Sequence, residues 1–168
     1  MNFGEIKELI HTTMGAEVIE SENSTAIQPH ITIHKSHIAR VCDLLRKNEQ
    51  TYFDFLSCIT AIDNGPAAGT MEVLYHLYSI VYEHHLVLKV LLKRTEENTN
   101  DPLPHLPSVN PVYKTALWHE REIFDFFGIV FDGHPDLRRI FLPEDWKGFP
   151  LRKDYHQEEY YRGIKIDY

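Results

Sequence analysis

Phe3, Ile6, Leu9 and Ile10 recur at helical spacing, which predicts a short amphipathic helix at the start of the chain. Ala26 to His34 reads as a strand, with Ile31 and Ile33 on one face. Pro29 removes a backbone donor and so suggests an edge position for it. Ser36 can cap a second helix, whose apolar face is Ile38, Val41, Leu44 and Leu45. Phe53 to Ile62 is β-rich, and Asp63-Asn64-Gly65-Pro66 ends it with strong turn chemistry. Met71 to Tyr82 predicts a long strand, with Val73, Tyr75 and Leu77 on one face and Leu74, His76 and Tyr78 on the other. Glu83-His84-His85 reads as a hairpin turn, and Leu86 to Lys93 returns, turning Leu86, Leu88, Val90 and Leu92 one way. The order α-β-α-β-β-β over residues 1–94 predicts an α+β core of two layers. Both helices cover one face of a mixed, mainly antiparallel sheet.

The texture then changes. Residues 95–110 are polar and hold Pro102, Pro104 and Pro107, which predicts an exposed linker loop. Asn110 before Pro111 is a good helix start, and that helix can run to Phe127 and close at Gly128. Ile129 to Phe131 follows as a short strand, so 111–131 completes the domain. From 132 to 168 periodicity fades, punctuated by Gly133, Pro135, Pro143, Gly148 and Pro150. This extension nonetheless carries Leu137, Ile140, Phe141, Leu142, Trp146, Phe149, Leu151 and Tyr155. Left in water they would form a large apolar patch, so they pack on the chain's own core or on a partner. Its positive residues, Arg138, Arg139, Lys147, Arg152 and Lys153, balance the nearby Asp132, Asp136, Glu144, Asp145 and Asp154. Composition leaves both destinations open.

Charge and composition narrow the function. The chain has 168 residues, 43% of them hydrophobic, which suits one domain with a real core. A formal charge of −8 argues against nucleic acid, whose binding draws on basic residues. Cys42 and Cys58 lie far apart in apolar surroundings and read as small buried hydrophobes in a reducing compartment. An iron–sulfur cluster takes about four thiolates, more than this chain has. No basic region followed by an apolar run opens the chain, so no secretory signal is expected. The longest apolar run, Leu86 to Leu92, is broken by Lys89 and falls short of the ~20 residues of a membrane span.

Candidate chemistry is sparse. Glu120-Arg121-Glu122 with Asp125 is the densest charge cluster on a predicted helix. An acid/base pair needs carboxylates facing each other across a cleft. Three acids within six residues of one helix do not provide that, so a free-standing acid/base enzyme using Glu120 and Glu122 is disfavoured. Eleven histidines include no H-x-x-x-H on a helix and no C-x-x-C beside them. No phosphate-binding glycine motif or nucleophile elbow appears.

Trp118-His119-Glu120-Arg121-Glu122-Ile123-Phe124-Asp125-Phe126-Phe127-Gly128-Ile129 resembles the signature of the thirty-kilodalton subunit family of respiratory complex I. In bacteria this family is the C subunit of NADH-quinone oxidoreductase, and in chloroplasts and cyanobacteria it is the J subunit. His134-Pro135-Asp136-Leu137-Arg138-Arg139-Ile140, Leu142-Pro143-Glu144-Asp145-Trp146 and Pro150-Leu151-Arg152-Lys153-Asp154-Tyr155 continue the resemblance in order. Phe149 departs from it, because many members carry His there.

The resemblance implies a cofactor-free structural subunit of the hydrophilic arm of a proton-translocating NADH:quinone oxidoreductase. FMN, iron–sulfur clusters and quinone would belong to partner subunits. The chain would dock on the quinone-site large subunit and neighbouring iron–sulfur subunits, peripheral to the cytoplasmic side of a bacterial inner membrane. Glu120, Arg121, Glu122 and Asp125 would anchor the domain's end of that interface. His134, Arg138, Arg139, Trp146, Arg152, Lys153, Asp154 and Tyr155 would lie on the partner-docking extension. Arg121→Ala or Arg139→Ala is then expected to weaken assembly and leave the domain folded. The alternative is the equivalent subunit of a related membrane-bound hydrogenase or a ferredoxin- or F420-linked dehydrogenase.

Overall fold

A computed structural model describes residues 1–95 and 102–166. Helix α1, Phe3–Met14, opens with a capping box: Asn2 Oδ1 accepts the Glu5 N–H at 2.9 Å, and the Glu5 carboxylate accepts the Asn2 N–H at 2.8 Å. Strands β1 (Ile19–Asn23) and β2 (His30–Ile33) form an antiparallel pair. Helix α2, Ile38–Lys47, follows, and then the long strands β3 (Phe55–Asp63), β4 (Thr70–Ser79) and β5 (His84–Lys93). The sheet order is β1-β2-β5-β4-β3, with β2 and β5 parallel and every other pair antiparallel. The α+β expectation is met. Ile6 and Ile10 of α1 and Val41, Cys42 and Leu45 of α2 join the sheet's Ile31, Ile33, Val73, Tyr75, Leu88 and Val90 in one core.

Three local expectations change. β2 is not an edge strand, because β1 covers it; Pro29 precedes the first paired residue, His30, so its missing donor is never needed. Ser36 does not cap α2: it lies in a 3₁₀ turn, Lys35–His37, with its hydroxyl 2.8 Å from His34 Nδ1, and α2 starts at Ile38 with no side-chain cap. The strand expected to reach Tyr82 stops at Ser79, and Ile80 to Glu83 make the turn.

The stretch expected as an exposed linker is partly interior. Residues 96–101 lie outside the described residues. After them comes β6 (His105–Pro107), which pairs in parallel with β7 (Val130–Asp132), and Leu106 and Val109 are fully buried. Asn110 and Pro111 do not start the next helix. Val112 and Tyr113 fold back on the Val109 carbonyl, and α3 spans Ala116–Phe127. Gly128 closes α3 in the left-handed region (φ 69°), as expected. The extension then runs without long elements to a small hairpin, β8 (Tyr160–Tyr161) and β9 (Ile164–Lys165).

Candidate functional site

The charged side chains singled out in the sequence converge where α3 meets the extension. Burial explains their arrangement: an ionised group removed from water needs specific partners. Glu120 is fully buried; its Oε2 accepts the Ser108 hydroxyl at 2.6 Å and its Oε1 the Val109 N–H at 2.7 Å. Burial raises its pKa to about 7, although those two bonds pull it down. His134 sits 4.0 Å away with its ring wholly enclosed. The Asp136 N–H reaches its Nδ1 at 3.0 Å, so the ring proton lies on Nε2 and is donated to the Leu117 carbonyl at 3.1 Å.

One turn further along α3, Asp125 is the receptor for the extension. Its Oδ2 accepts three successive backbone N–H groups, from Ile140 (3.0 Å), Phe141 (2.7 Å) and Leu142 (3.0 Å). Its Oδ1 takes Arg139 Nη1 at 2.8 Å. Burial alone would raise this carboxyl, but the bonds from Leu142, Arg139, Phe141 and Ile140 together hold it below the usual range. Arg139 also donates to the Trp146 and Gly148 carbonyls, and Arg121 donates to those of Arg138 and Arg139. Two arginines therefore serve as backbone-carbonyl clamps, a use that suits the guanidinium's five fixed donors.

A second clasp lies at the far end of β3. Asp63 is buried and ion-paired to Arg94 (Nε–Oδ1 2.8 Å), and it accepts the Lys153 N–H at 2.8 Å. Arg94 also bridges to Asp154. Burial opposes ionisation of Asp63, yet Arg94, the Lys153 N–H and the Gly65 N–H together hold its pKa below the usual range. Arg152 donates to the Phe127 and Gly128 carbonyls at the end of α3. Between the clasps, Phe149 lies under two guanidinium groups, 5.3 Å from Arg139 and 4.7 Å from Arg152, and packs so near Gly128 that a Cβ there would overlap its ring. Trp146 Nε1 donates to the Tyr155 hydroxyl at 3.1 Å.

The expected anchors therefore divide. Glu120, Arg121 and Asp125 are buried within this chain, and Arg139, Arg152, Asp154, His134, Trp146 and Tyr155 bond to its own groups. Glu120, Arg121 and Asp125, expected to anchor the domain's end of an interface, direct their hydrogen bonds to groups of this chain. Glu122, Arg138 and Lys153 expose their side of the junction to solvent. Glu120 and Glu122 sit on opposite sides of α3, one enclosed and one exposed, so they form no acid/base pair. Trp118, Phe141 and Leu151 stand out at 60%, 62% and 53% exposure. Sequence reasoning missed Asp63, Arg94 and Ser108. Asp63 carried only a turn signal, and nothing local tied it to residues 90 positions away. Among the described residues, no group of three or more His, Cys, Asp or Glu is placed to hold a metal ion.

This architecture, an α+β domain with a clasped irregular extension, has a solved counterpart. One chain of the membrane-bound sulfane sulfur reductase, an archaeal respiratory membrane complex, superposes with a TM-score of 0.71 over 91% of this chain and 85% of its own, at 23% identity. That likeness concerns the fold. The family model described as "Respiratory-chain NADH dehydrogenase, 30 Kd subunit" matches residues 31–161. The C subunit of the NADH-quinone oxidoreductase of Chloroherpeton thalassium is 36% identical over 162 residues, covering 95% of this chain and 63% of that one. The protein of the same name from Chlorobium phaeobacteroides is 42% identical over 125 residues, 74% of this chain and 70% of its own. The chain belongs to the respiratory-chain NADH dehydrogenase 30 Kd subunit family. It spans less than two thirds of the length of the Chloroherpeton relative.

Proposed function

We propose that the chain is a structural subunit of a proton-translocating NADH-quinone oxidoreductase, holding no cofactor itself and supporting electron transfer from NADH to quinone by positioning its neighbours. It docks on the quinone-site large subunit and adjacent iron–sulfur subunits, which carry the FMN, clusters and quinone. It sits peripherally on the cytoplasmic side of the membrane. In this reading its attachment runs through companions; no helix among the described residues is long and apolar enough to cross a membrane.

The observation that carries this reading is the division of labour at the junction. Charged groups spend their hydrogen bonds fixing an irregular backbone, and that backbone holds Phe141 and Leu151 outward, while Trp118 stands out from α3. Exposed aromatic and aliphatic anchors on a fixed frame are what a specific protein interface uses. The family membership and the relatives' names support this choice of assembly.

Affinity purification of the tagged chain from native membranes, with identification of the companion chains, tests the reading. A quinone-site subunit and cluster-bearing chains are the expected companions. Recovery of the chain alone would overturn it. A hydrogenase-type large subunit in their place would assign the equivalent role in a related membrane-bound complex, a reading to which the likeness with the sulfane sulfur reductase chain lends its fold.

A further inference from the structure

The end of the sheet remote from the Asp63 clasp carries an apolar corner. It is built by the β4–β5 turn and the segment entering β3. Ile80 and Val81 are 60% and 62% exposed, and Tyr82, Tyr52 and Phe55 are also exposed. These residue types contradict the turn that they occupy, since turns favour Gly, Asn, Asp, Pro and Ser. That mismatch is why the sequence pattern reads Ile80 to Tyr82 as strand.

The corner is also stiff. The Ile80 N–H donates to Asp54 Oδ1 at 2.9 Å, the Tyr82 hydroxyl bonds to the Glu49 carbonyl, and His84 Nε2 lies 2.8 Å from the Thr51 carbonyl. The Tyr82 ring stacks on His84 at 5.8 Å. Both segments contain a non-glycine residue in the left-handed region, Tyr52 (φ 38°) and Glu83 (φ 53°). Such conformations cost free energy, persist only when their surroundings hold them, and cluster at binding sites. Leaving three large side chains in a turn exposed also forgoes the gain of burying them. Stability alone does not explain either feature.

We infer that this corner is a second docking surface, which receives a protein segment presenting an apolar side chain flanked by Lys or Arg. The inference rests on the reading of the chain as a subunit of a larger complex. Charge chooses the occupant. The charged residues on the two segments are Glu49, Asp54 and Glu83, with no Lys or Arg between residues 48 and 56 or 78 and 85. Of the basic residues just before Glu49, Lys47 is paired with Asp43 and Arg46 bonds to the Val112 carbonyl, so acids on the two segments beside the apolar side chains favour a basic partner. It repels a second copy of the same corner and an anionic lipid surface. β3 separates this corner from the Asp63 clasp by roughly 26 Å, at about 3.3 Å per residue. The corner thus lies at the opposite end of β3 from the clasp that holds the chain's own extension.

The test places a photo-cross-linker in the full chain within its native complex, as Val81→p-benzoylphenylalanine and, in a separate preparation, as Phe141→p-benzoylphenylalanine. The expected result is that position 81 joins a companion-chain peptide carrying an apolar residue beside Lys or Arg. A cross-link from 141 with none from 81, or one from 81 to lipid or to a second copy, overturns the inference and leaves the proposed function standing. Failure of the chain to co-purify with any companion overturns both. As an independent arm, Glu49→Lys with Glu83→Lys is expected to slow association with the companion complex about tenfold at low salt, with the difference shrinking as salt rises. Unchanged association would also overturn the inference, and circular dichroism of the double variant guards against misfolding.

Discussion

The apolar core and the extension junction are held by opposite means. Beneath the sheet, Tyr75, Leu88 and Val90 and their neighbours interdigitate without directional demands, and cores of this kind tolerate exchange of similar volumes. At the junction, Asp125 organises four donors, and Asp63 takes Arg94, Gly65 and Lys153. Each buried carboxylate there has its coordination filled, so loss of one strands several polar groups together. The core makes the domain stable. The junction makes one path of an irregular backbone the only one available, which a docking frame requires.

The sharpest test pairs one substitution from each region. Leu88→Ala should cost about 2–5 kcal/mol and lower the urea midpoint of the whole domain. Asp125→Ala should cost about 3–5 kcal/mol, because it removes the carboxylate that neutralises Arg139 and leaves three part-buried N–H groups unpaired. Its damage should stay local: amide exchange rises at 140–142 and protease nicks the extension, while the sheet amides remain protected. Simultaneous loss of sheet protection would erase the distinction. By the same logic Arg121→Ala and Arg139→Ala, expected from the sequence to weaken assembly and leave the domain folded, should do so through the extension's path.

Acidity separates the regions next. Asp125 and Asp63 have folded values below the ordinary 3.8, so their contribution is present above that value and is lost as pH falls through the folded ones. Glu120 runs the other way. Its folded value is raised from 4.5 to about 7, so its contribution is full below 4.5 and disappears as pH rises through about 7. That slope amounts to about 3 kcal/mol at most. Urea midpoints between pH 4.5 and 8 should therefore fall, and Glu120→Gln should flatten the decline. A decline unaltered in that variant would assign it elsewhere.

Gly128→Ala should cost about 1–3 kcal/mol, from a left-handed backbone and from contact with the Phe149 ring. Its reach should end at the α3–extension corner, read as faster exchange of the Leu151 N–H, which bonds to the Phe126 carbonyl. The smallest expected effect belongs to the core. The Tyr75 hydroxyl is buried without a hydrogen-bond partner among the described residues, so Tyr75→Phe should change stability by less than about 1 kcal/mol, or raise it. A large loss would show that the core, too, relies on a directional polar contact.

The same contrast explains what could be read in the sequence. Apolar periodicity located α1, α2 and the long strands, because burial imposes that periodicity, and Gly128 marked the end of α3. It missed β1, whose Ile19-Glu20-Ser21-Glu22-Asn23 exposes four of its five residues and so carries no alternation. It extended β4 through Ile80 to Tyr82, where apolar residues serve something other than the core. The motifs from Trp118 to Tyr155 drew attention to the junction. They did not reveal that its charges pair inward. That pairing depends on which residues the fold brings together, as when Asp63 receives the N–H of Lys153, and local spacing holds no trace of it.

The parallel pairing of β2 with β5 sets how the chain can be divided. His30 meets Val87, so the strand that joins the first hairpin to the meander finds its neighbour only after α2, β3 and β4 have been made. A fragment ending before β5 would leave β2 without an inner neighbour and α1 with half a floor. Neither half can enclose a core alone. Closing that long loop is the costly step, since the entropy of bringing distant segments together is spent before any contact repays it. Folding should accordingly proceed all at once and comparatively slowly, with no stable intermediate built from either half.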